Sequence, residues 1–135
     1  MTSRPLAVTL SWDEDLRFTV QAGESQLVLD SSSQAGPSPV QALVAALAGC
    51  MAMDVVDILK RGRHPLAGLS ATLTATRADE TPARLTQVDL QYRVSGPVPA
   101  SAVQRAIQLS RERYCSVWHS LRQDILFTTS FDIAE

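Results

Sequence analysis

The 135-residue sequence is poor in the residues that build metal centres and disulfide frameworks: it has two cysteines, Cys50 and Cys115, and two histidines, His64 and His119. No CxxC or HExxH spacing accompanies them, so neither a zinc site nor another resident cofactor is expected. Long hydrophobic runs are also missing. The longest, Ala42 to Met53, is twelve residues, short of the about 20 that cross a bilayer. It reads as a core helix, and no membrane partner is expected. Basic charge is not in excess, with 12 Lys plus Arg interspersed among 14 Asp plus Glu, which argues against nucleic acid as the main partner. The N-terminal stretch has one arginine and only a short apolar segment before Asp13-Glu14-Asp15, unlike a secretory signal, so the expected location is cytoplasmic. Ser-His-Asp catalysis and phosphate-cradling glycine loops find no support. Internal repeats, low-complexity tracts and linkers are lacking as well, and the reading is a single domain over residues 1–135. At that size a chain buries roughly 65–70% of its unfolded surface.

What the sequence does contain is a marked helix and a set of alternating segments. Ser38-Pro39 signals a helix start: serine caps a free backbone N–H, and proline at the first helical position forfeits no hydrogen bond. The following residues are apolar on nearly all sides from Ala42 to Met53, which predicts burial all round. Lys60, Arg61 and Arg63 suit the negative helix end, Gly62 is the expected left-handed cap, and Pro65 stops continuation. Before this helix, Ala7–Trp12, Leu16–Ala22 and Gln26–Asp30 alternate with period two and predict an antiparallel meander. Ser31 to Ser38 then forms a loop long enough to adapt around a ligand. After the helix, Leu69–Ala78 and Arg84–Val94 predict a longer hairpin, Ala100–Tyr114 a second helix, and Ile125–Ile133 a last strand. The order β-β-β-α-β-β-α-β gives an α+β fold with antiparallel sheets wrapped around a long central helix.

The chemistry rests on the cysteines. Cys50 and Cys115 are 65 residues apart and are either two buried small hydrophobes or a redox couple. Cys50 lies about three turns into its helix, too deep for the helix dipole to activate it. Gly49 beside it suggests a close approach of some other group to that backbone. Asp54, at i+4 from Cys50, is read as structural or capping. Cys115 and His119 share a face if the second helix continues, which would let imidazole take the thiol proton.

The run GPSPVQALVAALAGCMAMDVVDIL, with LSRERYCSV about 65 residues later, resembles the OsmC/Ohr family, most closely its YhfA-like branch. The resemblance spans essentially the whole chain. It implies an intertwined homodimer with the long helices at its centre, and thiol-dependent reduction of organic hydroperoxides or hydrogen peroxide in oxidative-stress defence. By motif, Cys50 would be the peroxidatic thiol and Cys115 the resolving thiol, with a dithiol reductant as partner. Typical family peroxidases place an arginine in the loop before the long helix and a glutamate near its start. Here the loop has no arginine, and Val40 and Gln41 stand at the glutamate positions. Gln41 and Glu112 are the candidate substrate-binding residues, Glu112 as the substitute carboxylate, and Arg17, Arg111 and Arg113 are the candidate replacement cations. The alternative is a non-catalytic protein of this fold that binds a small apolar or thiol-bearing ligand at the dimer interface.

Overall fold

The computed structural model describes residues 5–134, which form two compact units, one ending at Leu43 and one beginning at Val44.

In the first unit, β1 (Thr9–Glu14), β2 (Arg17–Ala22) and β3 (Ser25–Asp30) form the expected antiparallel meander in the order β1-β2-β3. Its turns use positive φ at Asp15 (48°) and Gly23 (60°). The register sets Leu10, Val20 and Leu27 in one row and Trp12, Phe18 and Leu29 in the next, so one face is apolar. Val20 is buried, yet Leu10, Trp12, Phe18 and Leu27 remain exposed, Trp12 by 68%.

The 31–38 segment, expected to be adaptable, is instead pinned to the end of β3. The Asp30 carboxylate accepts hydrogen bonds from the Ser32 N–H (3.1 Å), the Ser32 hydroxyl (2.9 Å) and the Ala35 N–H (3.0 Å), and faces the Arg17 guanidinium at 3.5 Å. Gly36 lies so close to the Val28 carbonyl that a Cβ there would collide with it. The two backbone N–H bonds, with help from the Ser32 hydroxyl and Arg17, hold the Asp30 carboxyl down to about 2 against the opposing effect of burial. A carboxyl depressed in the folded state stabilises the fold above its unfolded pKa of 3.8 and loses that contribution as pH falls towards 2. Thermal midpoints measured between pH 5 and 2 are therefore expected to fall more steeply for the wild type than for Asp30→Asn. Parallel curves would refute the anchor.

Helix α1 (Pro39–Arg61) starts with a capping box. The Gln41 N–H donates to Ser38 Oγ (3.2 Å), and Gln41 Oε1 accepts from the Ser38 N–H (2.9 Å). At the other end His64 N–H bonds the Leu59 carbonyl and Arg63 N–H that of Lys60, a Schellman closure. The left-handed residue is Arg63, at φ 61°, and not Gly62 as the sequence suggested.

In the second unit α1 buries one stripe, Leu47, Met51, Val55 and Leu59, spaced by four. Burial all round is not what a single chain provides, because its own elements cover one side of the cylinder; Met53 is 73% exposed. By length and hydropathy alone α1 would pass for a membrane span, but its stripe is packed into the protein core.

The second sheet has the order β4-β5-β6, with β4 (Gly68–Arg77) antiparallel to β5 (Leu85–Ser95) and β6 (Leu126–Ala134) parallel to β5. This corrects the expectation of purely antiparallel sheets. Between β5 and β6 the chain makes α2 (Ala100–Leu109), and such a crossover returns the strand in the same direction. Val88, Leu90, Tyr92 and Val94 form the buried face of β5, and Val103, Ala106 and Ile107 that of α2.

Candidate active site

Helix α2 does not continue regularly to Tyr114. It passes into a π turn, Ser110–Tyr114, in which the Cys115 N–H bonds the Ser110 carbonyl at 2.7 Å. Cys115 itself leaves the helix in an extended conformation (φ −74°, ψ 97°). The expected i, i+4 helical pairing of Cys115 with His119 is thereby lost; His119 is exposed on a short 3₁₀ turn, Trp118–Ser120. Wide turns of this kind re-aim the side chain that follows them, and they recur at functional sites.

The π turn delivers the Cys115 thiol into the core beside Cys50. Cys115 is fully buried, and its sulfur accepts the Trp118 N–H at 3.3 Å. Burial pushes its pKa up to about 11; the Trp118 N–H counteracts, and the neighbouring Cys50 thiol adds to the rise. Cys50 is half-buried, and both thiols are free. The two cysteines singled out in the sequence are thus brought together on elements far apart in the chain. Gly49 has a different setting from the one expected: apart from its chain neighbours and the backbone of its own helix, no described residue lies within 4 Å of where its Cβ would stand.

Asp54, one turn beyond Cys50, accepts the Ser110 hydroxyl at 2.7 Å and so fastens α1 to the start of the π turn. This is the structural role read for it. Trp118 packs on Phe127 with ring centroids 4.7 Å apart, closing the core beneath Cys115. Tyr92 of β5 is buried too, its pKa raised by burial first and then by the influence of Cys115 and Asp54. Sequence reasoning passed over Tyr92 and Ser110. The available signal was a tyrosine, with its polar tip, in a β5 row otherwise made of Val88, Leu90 and Val94.

The other candidates make contacts of their own. Gln41 belongs to the first unit, where its side chain serves the helix cap and also accepts the Ser33 hydroxyl at 2.7 Å. Glu112 is exposed on the π turn, accepting from Gln108 at 3.2 Å, and borders a cleft of about 590 Å³ with Arg111, Ile107 and Phe131. Arg111 lies over the rings of Phe127 (4.7 Å) and Trp118 (5.9 Å), Arg113 over Tyr114, and Arg17 pairs with Glu14 and Asp30.

A family model described as OsmC-like protein matches residues 31–130, a stretch that contains α1, β4, β5, the first part of β6, the π turn and both cysteines. The chain belongs to the OsmC-like family. This OsmC-like chain is 35% identical over 127 residues to Protein YhfA of Escherichia coli strain K12, a match covering 92% of the chain and 95% of YhfA. Its fold is similar to that of a hypothetical protein from Aquifex aeolicus VF5, with a TM-score of 0.90, 22% identity and 98% of each chain covered. It is also similar to an organic hydroperoxide resistance protein from Elizabethkingia anophelis, with a TM-score of 0.71, 13% identity and coverage of 98% and 99%. The OsmC-like fold is an α+β arrangement of two helices and two three-stranded sheets, as described above.

Proposed function

We propose that the protein is a cytoplasmic, homodimeric thiol-dependent peroxidase that reduces organic hydroperoxides through Cys50 and Cys115. The observation that carries the reading is the adjacency of the two free thiols with unequal burial. Cys50, half-buried, is the sulfur a hydroperoxide reaches. It attacks the O–O bond, becomes a sulfenic acid and releases an alcohol. Cys115, sealed in the core and held protonated by its raised pKa, stays out of that step and condenses with the sulfenic acid to give a disulfide and water. A dithiol then restores both thiols by exchange. The shared fold with a protein described as conferring organic hydroperoxide resistance supports the substrate class.

A second copy of the chain is the natural cover for what one copy leaves bare: the apolar meander face with Leu10, Trp12, Phe18 and Leu27, and the outer side of α1 with Met53. Burying such surface in association is worth about 25 cal/mol per Å².

The test is a thiol titration coupled to intact-mass measurement. After a small excess of an alkyl hydroperoxide, the reduced protein is expected to lose both free thiols and two hydrogens, with an intrachain Cys50–Cys115 link in the peptide map. Two thiols still free after all the time needed for a control thiol to react would refute the proposal. Thermal stabilisation by apolar ligands in such an unreactive protein would favour the non-catalytic binder instead.

A further inference from the structure

Ser110 is wholly buried where α2 gives way to the π turn, in a helical row otherwise made of Val103, Ala106 and Ile107. Alanine would fill that row with better helix propensity, and a buried hydroxyl costs stability unless it is bonded. The serine engages every polar group it has. Its N–H donates to the Ala106 and Ile107 carbonyls and so finishes α2. Its carbonyl accepts the Cys115 N–H at 2.7 Å, the bond that widens the turn. Its hydroxyl donates to Asp54 Oδ2 at 2.7 Å, across 56 residues of sequence.

These bonds form a short clamp with a thiol at each end. Asp54 stands one turn after Cys50 on the same face of α1, and Cys115 is the residue whose backbone Ser110 holds. Among the described residues, the Ser110 to Asp54 bond is the one side-chain hydrogen bond that joins α1 to the π turn. The apolar stripe of α1 supplies attraction without direction. A hydrogen bond adds a fixed distance and angle, and two sulfurs carried on separate elements need both in order to meet.

We propose that Asp54 and Ser110 are positioning residues for the bond between Cys50 and Cys115, their hydrogen bond setting α1 against the π turn in the register at which the two sulfurs meet. Neither side chain exchanges atoms or electrons. In the step they serve, the Cys50 sulfenic acid gives up its hydroxyl and the Cys115 thiol its proton; the two leave as water and an S–S bond forms. The Cys50 sulfur is reduced by the same measure as the Cys115 sulfur is oxidised. The inference rests on the peroxidase reading for that use, but the placement itself can be measured without a peroxide.

The experiment equilibrates the full chain with reduced and oxidised glutathione and reads by acid quench, intact mass and peptide map how far the Cys50–Cys115 bond has formed. Oxidised glutathione takes the two electrons and becomes two glutathione thiols. Wild type, Ser110→Ala, Asp54→Ala and Asp54→Asn are compared, each with a thermal melt. The equilibrium constant for closure is expected to fall about tenfold in S110A and in D54A, a rise of about 30 mV in reduction potential. Asp54→Asn keeps an oxygen that accepts the serine hydroxyl and is expected to stay within about threefold of wild type. After a single hydroperoxide addition, closure in S110A should slow on the order of 10²-fold, the scale of a misplacement of about 1 Å, with more sulfenic acid trapped by a 1,3-dione. Closure in S110A or D54A equal to wild type overturns the inference, as does a D54N as impaired as D54A. A lowered melt with an unchanged equilibrium constant, or failure of both S110A and D54A to fold, assigns the bond to stability alone and overturns it too. A wild type that closes in glutathione but not with hydroperoxide removes the peroxidase reading alone, and the variants still decide the placement. A wild type that closes with neither removes both.

Discussion

Cys50→Ser is expected to lower hydroperoxide consumption by about 10³-fold or more, the scale of loss when a nucleophile is removed from a built site. A serine hydroxyl neither ionises near neutral pH nor forms the sulfur–oxygen bond on which the first step depends. The fold should survive, because Cys50 is only half-buried and its sulfur is not what holds α1 to the rest of the core. That attachment comes from the Leu47, Met51, Val55 and Leu59 stripe and from the Asp54 to Ser110 bond. The assay is single-turnover loss of an alkyl hydroperoxide with a thermal melt as control. A variant that keeps a third or more of the wild-type rate with an unchanged melt would place the chemistry elsewhere.

The second large effect concerns α1 itself. Leu47 is wholly buried, and Leu47→Ala is expected to cost about 2–5 kcal/mol through lost burial and the cavity left behind. Against a total stability of about 5–15 kcal/mol that is enough to threaten the fold. Met53, on the outer side, supplies the contrast. Within one chain it is 73% exposed, and Met53→Ala would change stability by no more than about 0.5 kcal/mol. If a second copy covers that side, the same substitution should cost several times more and weaken association measurably in sedimentation equilibrium. An M53A protein with unchanged stability and assembly would mean that this side of α1 faces water.

Much of the architecture is legible in the sequence because it depends on local signals. The three strands before α1 follow from alternation and from the acidic and Gly23-Glu24 turns between them, and the helix start from Ser38, Pro39 and Gln41. What is not legible depends on where the chain returns. Alternation in Ile125–Ile133 reveals a strand but carries no information about direction, and the parallel pairing with β5 comes from the crossover through α2. The apolar wheel of α1 reports how much surface must eventually be covered, not how much one chain covers. At the site, the two cysteines could be named from the sequence, but the π turn that aims Cys115 could not, since regular helical spacing would have carried it on beside His119. Tyr92 escaped notice for a related reason. In the pattern of β5 it counts as one more large apolar residue, and only the packed core shows that its oxygen is left unpaired.

The two neighbouring thiols enclose a large share of the chain between them: the whole β4–β5 hairpin, α2 and the π turn lie within the 65-residue span from Cys50 to Cys115. A bond between them would therefore be a long-range staple as well as a reaction product. Closing a loop of that length removes enough freedom from the unfolded chain to be worth about 4 kcal/mol. The oxidised form should then resist heat and proteases better than the reduced one, and each return to the reduced state gives that resistance up.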